Sequence, residues 1–480
     1  MCHQFVTLTP FVRNVVSLAC IPNTVKLTET PMKHFKVKFA ALAAGAAATA
    51  LSGLYAHAQT SEALMEALVR KGILTEQEAE DIKADLAKEN KQYVKVRAAG
   101  KETMSLDIYG DVRARMEGFY SDDPAMVDRT RFRYRLRVGA VATLFDRFEA
   151  GFRLTSSEAN AAFGGDPISG NATFQDNGSK KFLYLDLAYG RWYAFTNMNY
   201  LTTLTVGKME NPYVFSDMIF DGDYTPEGAS INFAYNPSLS HSLKLNLGGF
   251  VLDEVGGQSE DVYMVGAQAR WDGTWMYNEA HAPKLQSTIG AGILNIIEST
   301  NLVNGAVPNV NRGNTRDASG APSYHFNPLV ADAAITYTLD KAPLYNGPFP
   351  IRVAGDFIYN PAAPEDNEGF SAGVTFGKAG KRGTWDFSYR WKYLSADAWY
   401  EELVDSDFGA FYPVAQANSG LGTGYGAGTN VKGHIFKFSY SPYNSIILSA
   451  TWFKTRQVEE VAGATDTDMN RVQVDALWKF

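Results

Sequence analysis

The chain has 480 residues, 45% of them hydrophobic, 20% charged and 13% aromatic, with 44 Lys and Arg against 52 Asp and Glu and a formal net charge of −8. A mean hydropathy of −0.20 is too polar for a bundle of membrane helices, while the aromatic content is too high for a disordered chain. The acidic balance argues against nucleic acid as a partner.

Residues 1–31 read as an upstream extension that carries both cysteines, Cys2 and Cys20. Met32 opens a signal peptide spanning 32–58. Lys33, Lys36 and Lys38 supply its positive start, Phe39 to Tyr55 its small-residue apolar run, and Ala56-His57-Ala58 its cleavage site. The chain left after cleavage has no cysteine, so a secreted protein of this size must be held together without disulfides. Residues 59–103 read as a periplasmic helical leader. In "SEALMEALVRKGILTEQEAEDIKADLAKEN" Leu64, Leu68 and Val69 share a helical face and Gly72 is a natural stop. Thr75 with Glu78 forms a capping box, and Ala79, Ile82 and Leu86 continue an apolar stripe, which predicts a helical hairpin.

From residue 104 to 480 the period changes from 3.6 to 2. "LDIYGDVRARMEGFY" sets Leu106, Ile108, Val112 and Met116 against Asp107, Asp111, Arg113, Arg115 and Glu117. In "RTRFRYRLRVGAVATL", Arg131, Arg133, Arg135 and Arg137 take one parity and Phe132, Tyr134, Leu136 and Val138 the other. "RFEAGFRLT" follows, with Glu149 and Arg153 opposite Phe148, Phe152 and Leu154. Similar segments recur to the end, about sixteen in all, each near the length a tilted membrane strand needs. Tight connections such as "FDR", "NPSLSH" and "SPYNS" alternate with long polar stretches at 156–181, 209–227, 296–327 and 395–429. Short turns on one side and long loops on the other predict an all-β transmembrane antiparallel barrel in a Gram-negative outer membrane.

An arginine on the lipid face near the bilayer midplane costs roughly 2–4 kcal/mol. Four along one strand would cancel most of a domain's net stability of about 5–15 kcal/mol. The arginines are therefore expected to face the lumen, in company with Arg113, Arg115 and Arg153. Asp111, Glu117 and Glu149 are expected to pair with part of this ladder, and the remainder to leave a positive stripe along the pore wall. The chain ends in "NRVQVDALWKF", an amphipathic strand with Trp478 and the terminal aromatic Phe480, the signal read by the barrel assembly machinery. Trp385, Trp391, Tyr393, Tyr440 and Trp452 are candidates for interfacial girdles.

No histidine has metal-ligand spacing, "GLGTGYGAG" lacks the strand-then-helix context of a dinucleotide site, and no nucleophile–base pair stands out. No cofactor, no metal and no enzymatic activity are expected.

The chain resembles the large outer-membrane porins of Gram-negative bacteria known as the putative porins. The resemblance is carried by "GILTEQEA", "YGDVRAR", the alternating arginine strand, "VGKMENP", "DGDYTPEGA" and the terminal Phe. It implies a large barrel with a short helical leader, embedded among outer-membrane lipid and lipopolysaccharide and passing small hydrophilic solutes, and it implies a homotrimer. In general porins the third external loop folds into the lumen. By count that is 209–227 here, with Glu210, Asp217, Asp221, Asp223 and Glu227 as constriction carboxylates facing the arginine wall. An ordinary solvated loop and a calcium site at Asp221 and Asp223 are the alternatives. The expected function is passive diffusion with an anion preference set by the arginine ladder. A phosphate-type anion channel and a non-conducting structural or adhesive barrel are the other readings.

Overall fold

The computed structural model describes residues 93–97 and 103–480, apart from 122–125, 146, 161–163, 198, 257–259, 280, 305–306, 309–311, 421–422, 462 and 464–466. The expected upstream extension, signal peptide and leader hairpin lie outside the described residues. Of the leader, Tyr93–Arg97 forms a short strand antiparallel to the segment from Thr103 to Asp107.

Sixteen strands form the wall: β1 (Thr103–Ser121), β2 (Arg129–Leu144), β3 (Phe148–Ser156), β4 (Leu183–Thr196), β5 (Tyr200–Lys208), β6 (Glu227–Ser238), β7 (His241–Asp253) and β8 (Val262–Tyr277) make the first half. β9 (Pro283–Ile297), β10 (Leu329–Leu339), β11 (Phe349–Tyr359), β12 (Glu368–Gly377), β13 (Thr384–Leu394), β14 (Val431–Tyr443), β15 (Ile446–Gln457) and β16 (Met469–Lys479) make the second. Each pairs antiparallel with its neighbour in sequence, and β16 pairs back onto β1 from Asp111↔Lys479 to Ser121↔Met469. The sheet therefore has no free edge along the ring, and its backbone polar groups are satisfied without water. No helix among the described residues is long and apolar enough to cross a membrane; the crossing is made by strands.

The seam is sealed at the last residue. Phe480 and Gly110 exchange backbone hydrogen bonds of 3.1 and 2.9 Å. The Phe480 ring lies over Gly110, where a Cβ would come within 2.5 Å of it. Tyr109 over Gly139 and Tyr189 over Gly151 repeat this aromatic-on-glycine packing across the β1–β2 and β3–β4 pairs.

The outward faces are greasy: Phe132, Phe152, Val206, Ile293, Ile335 and Val353 are all among the exposed large hydrophobics. Tyr440 and Trp452 share this outer surface, as do Trp478 and Phe480 at the seam. Trp385 gathers with Tyr345 and Phe349 near the turn end, and Trp391 and Tyr393 with Phe370 near the loop end. Short turns at 145–147, 197–199, 239–240 and 444–445 occupy one rim, and the long segments 157–182, 209–226, 298–328 and 395–430 occupy the other.

One feature departs from the polar interior expected for such a barrel. Inside the ring lies an apolar core in which Tyr213, Met218, Ile219 and Phe220 from segment 209–226 and Trp399, Leu403 and Val404 from segment 395–408 pack against Phe250, Met264, Leu294, Ile358 and Leu394 of the wall. Strand alternation assigns parity to each wall residue, but loops can bring their own apolar side chains to an inward face and dry it.

Candidate channel constriction

The antiparallel register sets Arg113 opposite Arg135 and Arg115 opposite Arg133, with Glu117 opposite Arg131 and Asp111 opposite Arg137. Like charges directly opposite are destabilising, so this wall needs counter-charges from elsewhere. Glu117, fully buried, stands among four guanidiniums: Arg131 at 2.5 Å, Arg471 at 3.2 Å, Arg115 at 3.5 Å and Arg133 at 3.8 Å. Asp111 meets Arg135 at 2.9 Å. Asp186 of β4 meets Arg153 at 2.5 Å and Arg137 at 3.8 Å, and Asp475 of β16 meets Arg115 at 2.7 Å.

Segment 209–226 supplies more. Its ends are tied by Met209 N–H donating to Pro226 O at 2.9 Å. Between them the Tyr213 hydroxyl donates to Gly248 O on β7 at 3.1 Å, and Val214 N–H to Gln268 Oε1 on β8 at 2.9 Å. Ser216 Oγ then donates to Asp356 of β11 at 2.7 Å. Asp217 reaches Arg390 of β13 at 2.5 Å and Lys392 at 3.2 Å. Asp223 returns to β2, at 3.0 Å from Arg135 and 2.7 Å from Arg137. Contacts with inward side chains of β7, β8, β11, β13 and β2 carry the segment across the interior of the ring. Glu210 meets Arg153 at 3.2 Å.

Three expectations are corrected. The ladder leaves no bare positive stripe: each of Arg131, Arg133, Arg135 and Arg137 has a carboxylate within 4 Å, Glu158 being a further one for Arg133 at 3.8 Å. Glu149 does not serve the ladder, because it lies lower on β3, where it accepts from Tyr189, Tyr193 and Arg191. Glu227 is not a loop residue. It opens β6 with exposed side-chain surface and pairs with Lys208 at 2.9 Å.

A second inward segment, 395–408, was not foreseen as one. Its backbone joins the first through Asp221 N–H to Leu403 O at 2.7 Å and Asp405 N–H to Asp217 O at 3.0 Å. The Trp399 indole donates to Ile219 O at 2.9 Å and Ser406 N–H to Asp221 Oδ2 at 2.9 Å. Asp407 anchors it to the wall, 2.9 Å from Arg115 and 2.7 Å from Arg471, and Asp405 lies 3.2 Å from Lys392. The sequence did carry a signal. "WYEELV" and Phe408 are too apolar for a freely solvated loop, and that composition pointed to a buried one.

These contacts divide the loop carboxylates. Burial pushes the Asp223 carboxyl up, but Arg135 and Arg137 outweigh it and hold it below the usual range. Lys392 and Arg390 do the same for Asp217, and Arg115 and Arg471 for Asp407. Asp221 meets no cation among the described residues. Burial, with Asp223 and Asp405 beside it, raises its carboxyl well above the usual range. Its oxygens accept the Asp223 and Ser406 amides, and among the described residues no group of three His, Cys, Asp or Glu is placed to hold a metal.

Residues 123–288 match the protein family described as "Putative porin". Over this stretch, about a third of its length, the chain is similar to that family. The greasy outer belt of the closed barrel and the match to a porin family place the protein in the Gram-negative outer membrane. No curated protein matches the chain. Among solved structures it is similar to the loop L8 deletion mutant of OmpT from Vibrio cholerae, with 12% identity and a TM-score of 0.42 over 78% of this chain and 99% of that one. It is similar to Salmonella typhi OmpF in complex with daunomycin, with 10% identity and a TM-score of 0.43 over 78% and 98%. A third is the outer membrane channel DcaP of Acinetobacter baumannii, with 13% identity and a TM-score of 0.41 over 78% and 97%.

Proposed function

We propose that the protein is a diffusion porin: a water-filled outer-membrane channel that passes small hydrophilic solutes and prefers anions. The observation that carries this reading is the charged belt inside the barrel, where wall arginines meet carboxylates from two inward segments. Such a belt excludes apolar solutes and large ones while leaving fixed charge along the polar side of the lumen. Within it Arg113 is the guanidinium with no carboxylate in contact. Its Nη2 donates to Asn171 Oδ1 at 2.7 Å. Asp223 and Asp475 neutralise its neighbours Arg135 and Arg115, which leaves Arg113 the guanidinium of this wall without a counter-charge in contact among the described residues.

Planar-bilayer recording on refolded protein tests the reading. Ohmic steps with a reversal potential displaced toward chloride are expected. Arg133→Ala with Arg135→Ala removes two cations and uncovers Glu117 and Asp223, so the potential should move toward potassium; an unchanged potential would refute the role given to the ladder. The apolar core packed inside the ring favours one second reading, a structural barrel closed at rest. Absence of any steps from protein that is folded by electrophoretic heat-modifiability would select it.

A further inference from the structure

The outward parity of the wall is apolar along mid-strand, and at one place on its loop end it is basic. On β14 Lys432 and His434 take the parity of the outward Phe438 and Tyr440, and on β15 Lys454 and Arg456 take that of Leu448 and Trp452. Their alternate neighbours Val431, Phe453, Thr455 and Gln457 are buried inward, while Lys454 and Arg456 are exposed and Lys432 is half-buried. The register sets Lys432 opposite Arg456 and His434 opposite Lys454. Opposite residues lie about 4.5–5.5 Å apart and alternate residues about 6.8 Å, so three permanent cations and an imidazole share one small block. His434 is held through its Nδ1 by the Tyr389 hydroxyl at 2.9 Å. Among the described residues none of Lys432, Lys454 and Arg456 has a carboxylate within 4 Å. Glu459 and Glu460, which follow in the connection after β15, do not reach them.

We propose that this block is a seat for a lipid headgroup of the outer leaflet bearing two phosphates, as lipopolysaccharide does, with Lys432, Lys454 and Arg456 binding the phosphates. The inference rests on the orientation of the barrel in the outer membrane and holds whether or not the barrel conducts. Like charges directly opposite destabilise a strand pair. On the inner wall, where Arg113 stands opposite Arg135 and Arg115 opposite Arg133, carboxylates of the two inward segments answer the same arrangement. No carboxylate among the described residues answers the outer block, so its counter-charge comes from whatever lies against that face. Trp391 and Tyr393 of β13 stand level with His434 and Lys432. Phe436 and Trp452, stacked with ring centres 5.2 Å apart, lie two residues nearer mid-strand. Aromatic side chains at this position mark the level where hydrocarbon meets headgroups. The cations stand at that level and just beyond it, on the side of the long external loops, with their outward parity turned away from solutes in the lumen. Arg456 offers a planar fork matched to phosphate, and the two lysines add point charges. Three cations exceed what one singly charged anion can neutralise, whereas two phosphates on one headgroup match them.

Native mass spectrometry of refolded full-length protein in detergent, titrated with bisphosphoryl lipid A and with lipid A stripped of both phosphates, tests this directly. Bisphosphoryl lipid A is expected to bind at least tenfold tighter than the stripped lipid, and equimolar inorganic phosphate should leave it bound. Binding should weaken at least tenfold in K432Q/K454Q/R456Q. It should stay as in the wild type in R147Q/K341Q/R382Q, which removes three exposed cations from the turn rim. Heat-modifiability confirms each variant as folded. Equal binding of the two lipids, equal losses in the two variants, or displacement by inorganic phosphate overturns the seat. So does a K432Q/K454Q/R456Q protein that keeps its lipid A but loses a wild-type oligomer, which assigns the block to a second copy of the chain. Bilayer recording separates this from the porin reading. Selective lipid A binding without conductance steps keeps the seat and refutes diffusion; steps without selective binding keep diffusion and refute the seat.

Discussion

At the scale of single residues, each inward charge of β2 is fixed by two things, its place on the strand and the partner that reaches it. Alternation alone assigns Arg131 to Arg137 to one face, because a period of two leaves no other arrangement on a strand. Which carboxylate each meets depends on register and on loops hundreds of residues away, such as Asp407 on Arg115. Glu117 is the sharpest case. It is one carboxylate among four guanidiniums with none of its side chain exposed. Glu117→Gln keeps the shape and removes the charge, leaving buried cations uncompensated, which costs about 3–5 kcal/mol. The urea midpoint in detergent should fall accordingly, and Arg131→Gln, at the more exposed edge of the cluster, should cost less. Asp397, in the 395–408 segment, carries a pH signature. Burial pushes its carboxyl up to about 6, against the hydrogen bonds from Thr315 and with Glu401 and Asp366 adding to the rise. A carboxyl raised in the folded state stabilises fully below its unfolded value near 3.8, and this is lost as pH rises through about 6. The loop region should therefore be more resistant to proteolysis at pH 4.5 than at pH 7.5, and Asp397→Asn, which keeps an acceptor for Thr315 N–H, should remove the difference.

At the scale of elements, each expected strand segment falls on one of the sixteen strands to within a residue at its ends, because each carries its own alternation and is bounded by turn residues. β4 runs on to Thr196 and β5 starts at Tyr200, so the connection between them is short. The loops were legible only in length. Nothing local distinguishes a loop that leaves the barrel from one that bends in, except an apolar content that has to be buried somewhere. That content makes the joined segments one element. Trp399, fully buried, packs against Phe220 and Phe326 and donates to Ile219 O. Trp399→Ala removes about 3–5 kcal/mol of packing. It should loosen both segments together, giving larger and noisier single-channel conductance rather than loss of the barrel. Gly110→Val acts on the opposite kind of element, the closing seam. Its side chain would collide with the Phe480 ring and with Arg137 O. The heat-modifiable folded form should be largely lost on refolding, while far-UV circular dichroism still reports β-structure.

For the whole molecule, one orientation governs everything above: apolar parity outward to lipid, ionic parity inward. β2 tests it without reference to any solute, since its middle carries both faces within a few residues. Val138 faces outward and is substantially exposed, and its neighbour Arg137 faces inward and is buried. Val138→Arg would set a guanidinium in hydrocarbon near mid-strand, where no carboxylate of β1 or β3 can reach it, since Gly110 and Leu154 are its register partners. The expected loss of stability is about 2–4 kcal/mol. A soluble sandwich, in which that face lies in water or against a second sheet, would respond differently. A solvated face would tolerate the substitution, and a protein core would pay more than the bilayer does, because lipid can thin and water can follow the side chain inward. Unfolding titrations in lipid bilayers of increasing thickness sharpen the distinction. The Val138→Arg penalty should grow with hydrocarbon thickness, while that of an inward change such as Arg137→Gln should not, because its surroundings are set by Asp186 and Asp223 rather than by lipid.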